Sequence, residues 1–205
     1  MTALLRLIDS SGTILVDGID LALVPRSLVR ENCFIAIPQD PFFIPQATMR
    51  FNLDPSGSVP DSVLIEALSK VQLWANIDRA HGAEEYLQPL DRRLSSFPTM
   101  SAGQSQLLAI ARTIASREKA YRAFTDRETG TAAKRMPILL LDEATSSLDP
   151  ETEKIIHKVI EDEFVSRGHT AIIVTHRLSA STKQMRADQD VLVRMGEHGD
   201  LIRDS

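Results

Sequence analysis

Apolar positions along the chain switch between two periods. Aliphatic runs of strand length stand at Phe34–Ile37, Ile138–Leu141, Thr170–Val174 and Val191–Val193. Between them the spacing turns helical. Val63, Leu64, Ala67, Leu68 and Val71 form one stripe within 60–92. Leu107, Leu108, Ile110, Ala111 and Ile114 continue a helix over Gln104–Ser116, apolar around much of its circumference, as a buried helix is. Glu151–Arg167 is amphipathic through Ile155, Ile156, Val159, Ile160 and Phe164. Leu4, Leu5 and Ile8 give Met1–Ile8 the reading of a helix tail with no cap at its start. Thr13–Val16 and Ile19–Leu21 flank Asp17-Gly18, a two-residue hairpin signal. Arg117–Met136 is polar, lacks a period and contains Gly130, which predicts an exposed insertion. Apolar strands alternating with helices predict an α/β chain whose mainly parallel sheet is covered on both faces.

Composition narrows the partners more than the fold. The chain has 205 residues, 43% of them hydrophobic, enough for one domain with a true core. A net charge of -5 argues against a polyanionic partner, and the single cysteine, Cys33, excludes an internal disulfide. No apolar run approaches the roughly 20 residues that span a bilayer. A membrane connection is therefore expected through a partner or a further part of the polypeptide. Met1–Ser10 holds one Arg and no long apolar core, which makes a poor signal peptide.

Candidate chemistry gathers at strand ends. Ile138–Leu141 runs straight into Asp142 and Glu143, and ligands of open α/β sheets bind at such carboxyl ends. Asp142 is placed to hold Mg²⁺, a hard cation that prefers oxygen ligands, and Glu143 to polarise a water attacking a γ-phosphate. Gln39 follows the Phe34–Ile37 strand, where its amide oxygen reaches a metal or water; His176 follows Thr170–Thr175, where its imidazole reaches a phosphate oxygen. Met100-Ser101-Ala102-Gly103-Gln104 opens a helix whose small residues and dipole suit an anion. Each feature alone has an ordinary structural reading: an acidic strand end, a Ser N-cap, a packing Gln or His.

Their order removes that ambiguity. Gln39, Ser101–Gln104, Ile138–Glu143, Ser146-Ser147-Leu148-Asp149 and His176 together resemble the ATP-binding cassette family, as Q-loop, signature motif, Walker B with its glutamate, D-loop and H-loop. Ile37-Pro38-Gln39-Asp40-Pro41, Phe51-Asn52-Leu53-Asp54-Pro55 and Leu141–Asp149 are similar to the second cassette of multidrug-resistance-associated (C-type) transporters. The resemblance implies a P-loop NTPase-like sheet with a small antiparallel portion near the N-terminus. It also implies a helical subdomain at about 60–116 and an insertion at about 117–136, within one cassette domain spanning 1–205. It implies ATP and Mg²⁺ as cofactors. Asp142 and Gln39 would serve the metal, Glu143 as general base, His176 at the γ-phosphate, and Gln39 in coupling to a membrane domain. Ser101, Ala102, Gly103 and Gln104 would cap ATP held by a second cassette in a head-to-tail pair, and Asp149 would join the halves. The expected setting is the cytoplasmic face of a membrane, through transmembrane domains in the same polypeptide or in partner subunits.

The sequence also departs from the family. It contains no Gly-x-x-x-x-Gly-Lys-Ser/Thr run, the loop that grips the β- and γ-phosphates. Met1–Ile8 resembles the back half of the helix that follows that loop, so the strand leading into it is expected to be missing. Part of Ile138–Leu141 is then expected to lack a ladder partner, with a cost in stability. Ala102 stands where the signature usually has glycine, and Ser105 where it is usually basic. Trp74, His81, His157, His169 and His198 match no ligand spacing and read as packing or surface residues. Two functions stay open: an ATPase domain that powers export, and a non-hydrolysing module that caps ATP bound by another cassette. A chromosome-maintenance ATPase fits less well, since sustained heptads and a basic face are missing.

Overall fold

The computed structural model describes residues 1–80, 84–125, 136–145, 148–176, 189–195 and 201–203, and it forms two units, Met1–Val174 and Thr175–Ser205. Its first element is the expected hairpin. Strands β1 (Leu15–Val16) and β2 (Ile19–Asp20) pair antiparallel, with Val16 opposite Ile19. Asp17 and Gly18, at φ of 50 and 76, are both left-handed, the conformation that a two-residue turn of matching twist requires.

The sheet that organises the first unit has three parallel strands. They are β3 (Phe34–Ile37), β4 (Ile138–Asp142) and β5 (Ala171–Val174), with β4 in the middle. Alternate residues of β4 enter two cores. Leu139 and Leu141 face a large core with Ile37, Leu108 and Ile156, while Leu140 faces a smaller one with Phe34, Leu21 and Val29 of helix α1 (Arg26–Asn32). Both faces of the sheet are thus covered, as the apolar strands predicted. Shortening any of the three leucines to alanine would cost about 2–5 kcal/mol.

One expectation about the sheet is corrected. The backbone of β4 is not left without a partner: Ile37 lies opposite Leu141 on one side and Val174 opposite Asp142 on the other. Among the described residues β3 and β5 are the edges, and on β5 Ile173 and Val174 are 42% and 40% exposed. A continuous apolar run reports a strand's composition, whereas its burial depends on what lies beside it.

The large core is closed by helices. These are α2 (Met49–Leu53), α3 (Asp61–Lys70), α4 (Trp74–Asp78), α5 (Ala102–Thr125) and α6 (Pro150–Glu163). The predicted stripe on α3 is buried at Leu64, Ala67 and Leu68, with Val71 just beyond the helix buried too. Asp61 at its start and Lys70 at its end both suit the helix dipole. On α5, Leu108, Ile110, Ala111 and Ala115 are fully buried. Trp74 packs half-buried against this core. His169 is also a packing residue: its Nδ1 lies 2.8 Å from the Pro137 carbonyl, and its ring meets Phe164 edge-on. His81 and His198 lie outside the described residues.

Helix α5 corrects the reading of Arg117–Met136 as exposed throughout. It runs on through Thr125, so 117–125 are helical; 126–135 lie outside the described residues. No Gly or Pro interrupts Arg117–Thr125, and Arg117 is buried rather than solvated. Its guanidinium lies 3.1 Å from Glu163 and 5.3 Å from the centre of the Phe164 ring. Lys70 at 3.0 Å and Arg167 at 3.2 Å complete a cluster of three cations around one carboxylate. Burial pushes the Glu163 pKa up, but hydrogen bonds and charge from Lys70 and Arg117 outweigh it and hold the carboxyl below its ordinary value.

The amino-terminal segment is shorter than a tail over Met1–Ile8. A single turn closes from Leu5 N–H to the Met1 carbonyl. Arg6 then turns left-handed at φ 51, and Leu7 and Arg6 donate back to Thr2 and Ala3. That is a Schellman stop, and Ile8 lies beyond it, 55% exposed. In the second unit β6 (Val193–Met195) pairs antiparallel with β7 (Leu201–Arg203), two residues later than the expected Val191–Val193.

The Glu163 cluster yields a stability test. Glu163→Gln should lower unfolding free energy by about 3 kcal/mol, because buried Arg117 loses its counter-charge and half-buried Lys70 keeps only Glu66. A carboxyl held below its unfolded value stabilises fully above that value and loses its contribution as pH falls through the folded one. The gap between parent and variant should therefore narrow below about pH 4, measured by urea unfolding across pH.

Candidate functional site

Parallel register carries three candidate residues to one edge of the sheet. Ile37 and Leu141 are opposite each other, so Gln39 and Glu143 each lie two residues past a matched pair, with Asp142 ending β4 between them. Gln39 is exposed; Asp142 and Glu143 are half-buried. The Glu143 N–H still donates to Val174 at 3.0 Å, prolonging the β4–β5 ladder by one bond. Its φ of 48 then turns the chain left-handed, out of the strand's alternation. For a residue with a Cβ that conformation costs about 1 kcal/mol or more. Ala144 behind it is buried. His176 follows two residues after Val174 and belongs to the second unit. The structure therefore brings together Gln39, Asp142 and Glu143 and leaves His176 as a sequence expectation.

The second group lies where α5 and α6 begin. Ser101 and Gln104 form a reciprocal capping box: the Gln104 N–H donates to Ser101 Oγ at 3.1 Å, and the Ser101 N–H donates to Gln104 Oε1 at 2.9 Å. The ordinary cap and the anion site are compatible, because Ser101 Oγ only accepts in that bond and keeps its own hydrogen to donate. Ser101 and Ala102 are exposed at the helix start, where the dipole favours negative charge. Asp149 caps α6, accepting from the N–H groups of Thr152 at 2.9 Å and Glu151 at 3.1 Å and from the Thr152 hydroxyl at 2.7 Å. The Thr152 amide and hydroxyl hold this carboxyl below the usual range. Ser146 and Ser147 lie outside the described residues.

Gly103 joins the two helix starts. A Cβ there would stand 3.2 Å from both Cγ2 and Oγ1 of Thr152, closer than an ordinary contact. The Thr152 side chain cannot swing aside without breaking its bond to Asp149. The signature glycine thus serves close approach, and Thr152 is a residue of the site that the sequence reading did not name.

A sequence model described as "ABC transporter" matches residues 1–121. The chain belongs to the ABC transporter family. It is 34% identical over 179 residues to ABC transporter atnG of Emericella nidulans, covering 87% of this chain and 10% of that one. It is 31% identical over 208 residues to ABC transporter C family member 13 of Arabidopsis thaliana, covering 100% and 13%. The latter carries the C-family label that the sequence phrases resemble. Among solved structures, a bacterial Atm1-family ABC exporter with ATP bound superposes with a TM-score of 0.65 at 27% identity, over 87% of this chain and 27% of that one. The chain corresponds to a nucleotide-binding domain in these relatives and spans about a tenth of the length of the curated ones.

Within this ABC domain, several residues that hold the site were not legible as functional. Asn52 of the quoted Phe51–Pro55 phrase accepts from the Ile44 N–H at 2.8 Å and donates to the Ile44 and Thr48 carbonyls at 3.0 Å each. Gln106 and Arg112 of α5 reach main-chain carbonyls of the segment that carries Gln39. A polar residue on an apolar helix was the available signal, but nothing in the sequence specifies a main-chain partner.

Gly103→Ala offers a direct check of the helix contact. Alanine is favoured over glycine in a helix by up to about 1 kcal/mol, while overpacking costs about 1–3 kcal/mol. The net effect should be destabilisation by roughly 1 kcal/mol. In a Thr152→Ala background the nearest atom left is Cβ at 3.6 Å, and the same substitution should become neutral or stabilising. A double-mutant cycle by chemical unfolding reads the change of sign.

Proposed function

We propose that this chain acts as the nucleotide-binding domain of an ABC exporter, coupling ATP binding and hydrolysis to movement of a substrate across a membrane. The observation that carries this reading is the placement of Gln39, Asp142 and Glu143 at one sheet edge. In it, Asp142 and the Gln39 amide oxygen would hold Mg²⁺. The donors fit: both are hard oxygen ligands, and Mg²⁺ commonly rests on one or two protein oxygens while phosphates and water complete its shell. Bound with ATP, the ion would supply charge neutralisation at the phosphates. Glu143 would accept a proton from the attacking water, with its side chain aimed by the left-handed turn, and His176 would donate to a γ-phosphate oxygen.

Ser101, Ala102, Gly103 and Gln104 would face a nucleotide held by a second cassette, and Asp149 would lie at the junction between the two. No helix among the described residues is long and apolar enough to cross a membrane, so transmembrane domains would come from elsewhere. The exposed side chains of Phe42, Ile44 and Phe51, 76%, 42% and 43% exposed beside the Gln39 segment, suit a docking surface for such a domain. That arrangement puts the chain at the cytoplasmic face of a membrane. Residues 60–116 would form the helical subdomain of the cassette.

One sequence observation favours a second reading. With no Gly-x-x-x-x-Gly-Lys-Ser/Thr run, the chain would cap ATP bound by a complete cassette without hydrolysing ATP in its own half. Calorimetric titration of the purified chain with MgATP separates the two. Binding weaker than about 1 mM, less than about 4 kcal/mol, fits the capping role. Tight binding dependent on Mg²⁺ fits a self-sufficient site. In both cases an immobilised complete cassette should capture the chain only with ATP. Ser101→Ala should weaken capture about tenfold, while Ser116→Ala on exposed α5 surface should not. Capture indifferent to ATP would remove the cassette pairing.

A further inference from the structure

Gln39 and Asp40 are exposed in a span, Gln39–Pro41, whose two flanks are held by one helix. The carbonyl of Pro38, just before it, accepts from Gln106 Nε2 at 3.0 Å. The carbonyl of Phe42, just after it, accepts from Arg112 Nη1 at 3.1 Å. Gln106 and Arg112 lie six positions apart on α5, about 9 Å along its axis, which matches a short bridging span.

Arg112 makes more than one contact. Its Nε donates to the Asn52 carbonyl at 2.6 Å, and its guanidinium stacks over the Phe43 ring at 4.3 Å. Asn52 in turn holds Ile44 by both main-chain groups. Gln106 is 2% exposed, so its amide does not exchange freely with water.

The geometry points to Arg112, with Gln106, as positioning residues that fix Gln39 to the helix opened by Ser101–Gln104. This inference rests on the nucleotide-facing roles given above for those residues. Any displacement of α5 when its first turn meets nucleotide is delivered to Gln39 through two hydrogen-bonded carbonyls. Information about the nucleotide at one end of the helix thereby reaches the metal-facing amide within the same chain. Only a planar fork serves all three Arg112 contacts at once; a lysine reaches one carbonyl and does not stack in the same way.

The test uses the full chain in a Cys33→Ser background, with nitroxide labels at Asp40→Cys and Lys119→Cys and a reference pair at Ser69→Cys and Lys119→Cys. Pulsed-EPR distance distributions are recorded for each pair. The parent should give one narrow Asp40–Lys119 distribution. Arg112→Gln and Arg112→Lys should each broaden it at least twofold, Gln106→Ala/Arg112→Gln more so, with the Ser69–Lys119 pair unchanged. An unchanged width in the double variant, or equal broadening of the reference pair, overturns the positioning role. If the parent is not captured by a complete cassette with ATP, the functional reading fails while the distance result stands. If capture is intact and the width does not respond, only the positioning role is lost.

Discussion

The register of β4 between its two neighbours is the constraint on which the site depends. Side chains alternate across a strand, so a slip of one residue would send Leu139 and Leu141 into the smaller core and Leu140 into the larger. It would also turn Asp142 toward apolar surroundings. Three fully buried leucines make that slip costly by several kcal/mol. A polar end is therefore held in place by an apolar middle, and the positions of Asp142 and Glu143 inherit their precision from leucine packing.

Much of this arrangement is legible along the chain. Four aliphatic residues ahead of Asp142, the Asp17-Gly18 turn and the Leu64–Leu68 stripe each specify a local structure with little help from elsewhere. The ordered motifs give Gln39, Asp142, Glu143 and the Ser101–Gln104 cap for the same reason. Arg117 shows where that legibility stops. It opens a charged stretch that reads as solvated, yet it is buried because Glu163, 46 residues later, neutralises it. The exposed edge of β5 is a similar case, decided by neighbours rather than by its own apolar residues. Arg112, Gln106 and Asn52 are harder still, since their partners are carbonyls that every residue possesses.

Two kinds of link tie the helices to one another and to the segment beyond β3. Gly103 against Thr152 is a matter of close approach, where a methyl group would crowd the Thr152 side chain. The Arg112 and Gln106 contacts are hydrogen bonds to main chain, which fix a segment without regard to the side chains it carries. The first restricts sequence at two positions; the second leaves the bridging span free to vary while keeping its path.

Glu143 occupies a backbone conformation that a glycine or an asparagine would adopt with less strain. A screen that selected this chain for heat tolerance alone would therefore be drawn to replace it, gaining resilience and discarding the carboxylate in one step. Ruggedness and the proton-accepting role proposed for Glu143 are opposed at this single position, and the opposition is written in one dihedral angle.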